Sequence, residues 1–358
     1  MTLLQAGALC LVLGLAGAAL VPPAHAAVPL GLPTAKDATD PGSTALAALG
    51  RQLFIDKRLS SDGSISCATC HMPERQFTDG RPTARGLAGR TLTRHTPSLL
   101  NVRYATSLFW DGRTGDLAAQ VRTPLLGPAE HGLIEEQAVV DIVRRDSVYS
   151  AAFAHLLGVR KAALSIRDVG MALAAYEKTL LSGDSPFDRY LYGHDEKALT
   201  PAAVRGLALF RGRAQCGSCH LIGEDSALLA DGGFHPSPLP LADSVLSQLG
   251  ALTARISTLR ARGEIDALNS LIATDRDIAA LGRFVVTLNP KDIGCFKTPS
   301  LRNIALSGPY MHDGSVPNLS QAIEVELYSR SVQNYPLVLT EDERSDLLAF
   351  LQALTSGR

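Results

Sequence analysis

The chain has 358 residues, 46% of them hydrophobic and only 5% aromatic, with a formal net charge of -1. That length supports two domains of ordinary size, each able to bury a core. The near-neutral balance removes the electrostatic case for nucleic-acid binding.

The N-terminus reads as an export signal over residues 1–26. Leu3 to Leu20 is a run dominated by Leu, Ala, Gly and Val, broken by Pro22-Pro23 and followed by Ala24-His25-Ala26. Small residues at both cleavage positions predict a mature chain starting near Ala27. The run departs from the usual pattern in having no Lys or Arg before it. It is marginal in length for a bilayer span, so no membrane span is expected after cleavage. Cys10 follows Leu9 rather than a small residue, which argues against a lipid attachment site.

Ala45 to Phe54 has helical patterning and precedes the pentad Cys67-Ala-Thr-Cys70-His71. Ala202 to Phe210 repeats that arrangement ahead of Cys216-Gly-Ser-Cys219-His220, with Thr200 as N-cap and Pro201 in the first turn. Cys-x-x-Cys-His is the attachment signature of c-type haem. Two thiols reach the two vinyl groups of one porphyrin, and the adjacent histidine becomes the proximal iron ligand. Zinc ribbons place their Cys pairs much closer together, and a redox dithiol needs no following histidine. Two pentads therefore predict two covalently bound haem c groups. Haem c is attached outside the bacterial cytoplasm, so a periplasmic location follows. Beyond Cys10 and the pentads, Cys295 is left unpaired and reads as a small buried residue.

Each half ends in a helix. Ile166 to Leu181 carries Val169, Leu173, Tyr176 and Leu180 on one face. Thr340 to Glu343 is a capping box ahead of Leu347, Leu348, Phe350, Leu351 and Leu354. The boundary falls within 192–200, giving domains 27–198 and 199–358. Ala230 to Leu241 is rich in Pro, Gly and Leu and reads as a loop. Strand signals are sparse. The expected class is mainly α, with two cytochrome c-like domains and long loops around two haems.

The remaining blocks are Leu59–Cys67, Thr96-Pro-Ser-Leu-Leu-Asn101, Phe109-Trp-Asp-Gly-Arg113, Phe296–Asn303 and Pro309-Tyr-Met-His-Asp-Gly314. With these, nearly the whole mature chain resembles the bacterial di-haem cytochrome c peroxidase and MauG family. In that family a tryptophan lies between the haems, and a glutamine, a proline and a glutamate line the peroxide site. Their spacing is matched here by Trp110, Gln120, Pro124 and Glu130. The resemblance implies that Glu130 moves the peroxide protons, Gln120 orients it and Trp110 couples the haems.

Leu87 stands where peroxidases of the family carry a histidine that caps the first haem. The resemblance thus implies an open first haem needing no reductive activation, as in MauG. For the second haem it points to Tyr328 as the sixth ligand, displaced by a two-residue insertion; Met311 or another residue are the alternatives. Members of the family often hold calcium with an asparagine side chain and backbone carbonyls. Ser307 and Pro309 match the carbonyl donors, but His95 replaces the asparagine and is a poor ligand for a hard cation, so calcium is disfavoured. His131 has no assigned role beyond that of a loop residue.

The Glu130-His131-Gly132 run and the Glu-Leu-Tyr328 segment are most similar to the MbnH-type enzymes of this family, which oxidise a tryptophan of a partner protein. The implied function is an exported di-haem oxidoreductase that uses hydrogen peroxide to reach a high-valent, bis-ferryl-like state and oxidises a partner protein. Trp110 is the only tryptophan, so no second one serves as a surface relay. The alternative is a cytochrome c peroxidase that reduces peroxide to water with electrons from a small cytochrome c. A third reading is a non-enzymatic electron carrier, which requires both irons to be capped.

Overall fold

The computed structural model describes residues 28–34, 41–333 and 337–357. The expected signal segment, with Cys10, lies outside them. The chain is mainly helical, and the described strands are two short antiparallel segments, Phe234–Pro236 and Cys295–Lys297. No helix among the described residues is long and apolar enough to cross a membrane.

Two helix pairs form the framework, and both use the same device. Pro41–Ile55 crosses Ile166–Glu177 at Gly50, where a Cβ would lie 1.9 Å from the Ala172 carbonyl oxygen. Pro201–Arg211 crosses Glu341–Gln352 at Gly206, where a Cβ would lie 2.0 Å from that of Asp346. Only glycine permits backbones this close. Four residues after each glycine, Phe54 and Phe210 fill the two cores, both about 1% exposed. The first core gathers Leu53, Phe54, Val139, Phe153 and Leu173. The second gathers Phe187, Leu207, Phe210, Leu347 and Phe350. Phe187 precedes the boundary stretch 192–200, so the chain enters the second core before its second pentad helix.

The expected caps form. Thr200 accepts from the Ala203 amide, and Thr340 with Glu343 completes a capping box. The helix expected to run to Leu181 ends at Glu177, although Leu180 stays buried in the turn that follows. The expected loop at Ala230–Leu241 contains the strand Phe234–Pro236. A third core follows it: Asp243–Ala261, Ile265–Thr274 and Arg276–Ala280 pack through Val245, Ile256, Ile272 and Ile278. This subdomain leans on the first half through Thr93, whose hydroxyl donates to the Ile272 carbonyl at 2.6 Å.

The repeat extends beyond the pentads and joins the halves by exchange. Ahead of one Thr-Pro-Ser block, the His95 amide donates to the His312 carbonyl at 2.9 Å. Ahead of the other, the Lys297 amide donates to the Trp110 carbonyl at 2.8 Å. Each half thus lends its Thr-Pro-Ser segment to the other's Trp110 or His312 turn.

Candidate active site

Between the halves lies a cavity of about 910 Å³, lined by the four cysteines and two histidines of the pentads, Cys67, Cys70, His71, Cys216, Cys219 and His220. The His71 Nδ1 donates to the Phe77 carbonyl at 2.9 Å, and the His220 Nδ1 donates to the Leu229 carbonyl at 2.8 Å. Each bond fixes the tautomer that leaves Nε2 with its lone pair for a metal. Burial also keeps both imidazoles neutral, pushing His71 down and His220 down to about 4.

The thiols discriminate among rival readings. Burial raises Cys67, raises Cys70 to about 12 and raises Cys216 to about 11. A redox dithiol needs the opposite, a stabilised thiolate. Among the described residues, the one cluster of potential metal ligands is Cys219, Asp231 and His235, so the two Cys pairs do not converge on one zinc. The donor set and the apolar cavity fit one covalent haem at each pentad. Replacing Cys67 and Cys70 with serine is expected to lower the covalent haem content from two to one per chain, read by intact-protein mass.

Around the first pentad, the sequence-predicted residues meet on one wall. Asp116 caps the short helix Leu117–Gln120, accepting from the Ala118 and Ala119 amides. That turn lies on the helix Ile166–Glu177 because Gly170 leaves room for the Ala118 carbonyl, 2.1 Å from where a Cβ would stand. Gln120, Pro124 and Glu130 all line the cavity. Glu130 sits on a tight turn in which the Glu130 and Gly132 amides both donate to the Gly127 carbonyl. Burial pushes the Glu130 carboxyl up, with the Arg113 charge opposing. Glu130 also raises the Cys70 thiol through its charge, which places it on the first-haem side.

His131 gains a role the sequence did not reveal. It is 5% exposed, and its Nδ1 donates to the Leu59 carbonyl at 2.6 Å. Its own carbonyl accepts from the Ser61 amide at 2.9 Å. His131 therefore latches the Glu130 turn to the segment leading into the first pentad. Leu87 is tied to the same turn: its amide donates to the Ala129 carbonyl at 2.9 Å. Gly86 makes this possible, since a Cβ there would meet that carbonyl oxygen at 1.9 Å. The loop at the capping-histidine position is thus fastened beside Glu130, with no histidine between His71 and His95.

Trp110 also lines the cavity, and its Nε1 donates to the His95 carbonyl at 2.9 Å. Beside it, the fully buried Asp111 accepts two bonds from the Arg113 Nη1, at 2.8 and 3.0 Å, and lies 3.7 Å from the Arg94 Nη2. Arg94 and Glu177 escaped the sequence reading. Arg94 stacks on Phe296, with the buried Nε and Nη1 unpaired. Glu177 is pushed up to about 8 by burial, lines the cavity and has an unpaired Oε2. Glu177 only ends an apolar helix and Arg94 sits in a polar Thr-Arg-His run, neither of which marks a residue out in sequence.

Two expectations fare differently. Ser307 and Pro309 line the cavity, but the His95 Nδ1 donates to the Arg81 carbonyl at 2.8 Å and brings no oxygen to a calcium site. Tyr328 as a haem ligand is corrected. The helix Leu319–Gln333 is unbroken and turns Leu319, Ile323, Glu326 and Arg330 toward the cavity. Tyr328 falls on the opposite face, 73% exposed. A helix advances about 100° per residue, so the two-residue displacement carries Tyr328 about 200° round the axis, away from the cavity. Met311, the alternative, does line the cavity.

Comparison with known proteins agrees with this architecture. The profile described as di-haem cytochrome c peroxidase matches residues 44–196. The methylamine utilization protein MauG of Methylorubrum extorquens is 34% identical, covering 86% of this chain and 77% of its own. The cytochrome-c peroxidase IdrP1 of Denitromonas iodatirespirans is 35% identical, covering 95% and 88%. The crystal structure of a MauG-like protein associated with microbial copper homeostasis superposes with a TM-score of 0.68 at 30% identity, covering 92% and 93%. By paired pentads, a shared cavity and similarity along most of its length, the chain belongs to the di-haem cytochrome c peroxidase and MauG family of peroxide-dependent oxidoreductases.

Proposed function

We propose that this chain is an exported di-haem c enzyme that uses hydrogen peroxide to oxidise a partner protein. Cys67, Cys70 and His71 hold the first haem; Cys216, Cys219 and His220 hold the second. Bound haem supplies a redox iron able to pass two oxidising equivalents from peroxide to an electron donor. One peroxide, two protons and two electrons give two waters; the partner residue supplies the two electrons, and its uptake of one water with release of two protons leaves it one oxygen heavier. Glu130 takes the proton from the near peroxide oxygen and delivers it to the departing one. Gln120 and Pro124 shape the wall beside it. Trp110 lies between the halves, bonded through its ring to His95 and through its backbone to Lys297, and carries charge between the haems.

The observation that carries this reading over cytochrome c peroxidase is Leu87. Its loop is bonded to the Glu130 turn and holds no histidine, so no cap must be displaced before peroxide enters. A partner-protein tryptophan is the favoured target, by similarity to the MauG-like relatives. The second reading draws its support from the 35% identical cytochrome-c peroxidase.

The test uses the oxidised holoprotein without prior reduction. Peroxide is expected to react at once, and a small exported protein encoded beside it is expected to change in mass by oxygen-scale units. Rapid peroxide-dependent oxidation of reduced cytochrome c, with every candidate partner unchanged, would favour the peroxidase reading instead.

A further inference from the structure

The helix Leu319–Gln333 turns one face toward the cavity. Its cavity face consists of Leu319, Ala322, Ile323, Glu326, Leu327 and Arg330 at helical spacing, with Ser329 at its edge. Glu326 is the only carboxylate on that face. It belongs to the second haem's end of the cavity, since its charge acts on the Cys216 thiol. Arg330, one turn on, donates from Nη1 to the carbonyl of Gln215, the residue before that thiol, at 3.0 Å.

Arg330 pairs with Glu326 by charge alone. Its Nε is 4.0 Å from the Glu326 Oε2, within ion-pair range but beyond hydrogen-bonding distance, which leaves the carboxylate oxygens free to accept or ligate. That Nε is buried without a hydrogen-bond partner. The Glu326 side chain is 43% exposed, on the face open to the cavity, and the surrounding protein pushes its carboxyl up, with Arg330 opposing. An acid on an apolar wall is costly unless something there takes its charge.

Other ligating groups at this end are already engaged. The Tyr310 hydroxyl donates to the Ile304 carbonyl at 2.9 Å. Asp231 and His235 are bonded to each other at 2.7 Å and group with Cys219. The Met311 thioether is the rival, but it packs into the apolar cluster of Tyr310, Val316 and Ala322.

We propose that the Glu326 carboxylate is the sixth ligand of the second haem iron, on the side facing away from His220. This rests on the di-haem reading above and adds the identity of the ligand. A hard anionic oxygen donor stabilises the ferric and higher states relative to a thioether, and axial-ligand identity is a principal lever on haem potential. The second haem is thereby suited to hold oxidising charge rather than to relay electrons at high potential.

The test reads the oxidised holoprotein before any peroxide is added, by electron paramagnetic resonance and near-infrared magnetic circular dichroism. Glu326→Gln is expected to abolish the native signature of the second haem. Glu326→Met is expected to give the sulfur-to-iron charge-transfer band and a higher reduction potential. Tyr328→Phe and Met311→Leu are expected to leave the native spectrum intact. An unchanged spectrum in Glu326→Gln overturns the proposal, as does loss of the native signature in Tyr328→Phe or in Met311→Leu. Because no peroxide is used, a protein inert to peroxide would sink the proposed activity while leaving this assignment standing. A holoprotein lacking haem at Cys216 and Cys219 overturns both.

Discussion

Replacing Glu130 with glutamine is expected to slow the reaction with peroxide about 10²–10⁴-fold, the usual contribution of a positioned acid–base group. Glutamine keeps the size and the turn, since the Glu130 and Gly132 amides bond to Gly127 through the backbone. It removes only the carboxylate's ability to accept and return a proton. Stopped-flow mixing of peroxide with the oxidised holoprotein reads the rate, and the haem spectrum before mixing checks that the site is otherwise intact. A loss of less than about tenfold would place the proton transfer elsewhere.

The pH profile gives a second reading of the same group. Burial raises the Glu130 carboxyl above the ordinary carboxylate range, with Arg113 opposing. The form that accepts the peroxide proton is the ionised one. The rate should therefore rise with pH as that carboxyl ionises, and the rise should begin at higher pH than for an exposed glutamate. Glu130→Gln should flatten this limb. Removing the Arg113 charge should move it to still higher pH, because the opposing influence is lost.

The sequence reveals features whose physics is local. The Thr200 and Thr340 caps need only a few adjacent residues and form as expected. The pentads carry their chemistry within five positions. The series Trp110, Gln120, Pro124 and Glu130 is legible through family spacing, and the four residues do line one cavity. What depends on phase or on distant contacts is not legible. Tyr328 and Glu326 are two positions apart, yet an unbroken helix sends them to opposite faces. The helix Asp243–Ala261 buries only Val245, Leu252 and Ile256, so its apolar stripe is thin against a mixed background. The three-residue strands are too short for alternation to register. The His131 latch depends on the Leu59 carbonyl, far away in the chain, which no local pattern announces.

The largest stability effect is expected at Arg302, for the same reason: its partners are scattered along the sequence. Its side chain is 2% exposed, and it forms a bidentate pair with the fully buried Asp188, at 2.8 and 2.9 Å. Its Nε donates to the Ala227 carbonyl at 2.8 Å, and its Nη2 donates to the Gly31 carbonyl at 2.7 Å. One guanidinium thus joins the segment 28–34, the helix Pro186–Leu191, the loop after the second pentad and its own Thr-Pro-Ser block. Arg302→Met keeps much of the volume but strands the Asp188 charge and two carbonyls. Removing one partner of such a buried pair costs about 3–5 kcal/mol. The urea midpoint of the holoprotein should fall accordingly. Asp188→Leu combined with Arg302→Met should recover part of the loss, because the apolar pair leaves no buried charge uncompensated. If the double variant were as unstable as the sum of the singles, the penalty would lie in the lost carbonyl bonds rather than in the stranded carboxylate. Arg302 would then act mainly as a backbone clamp between the two halves.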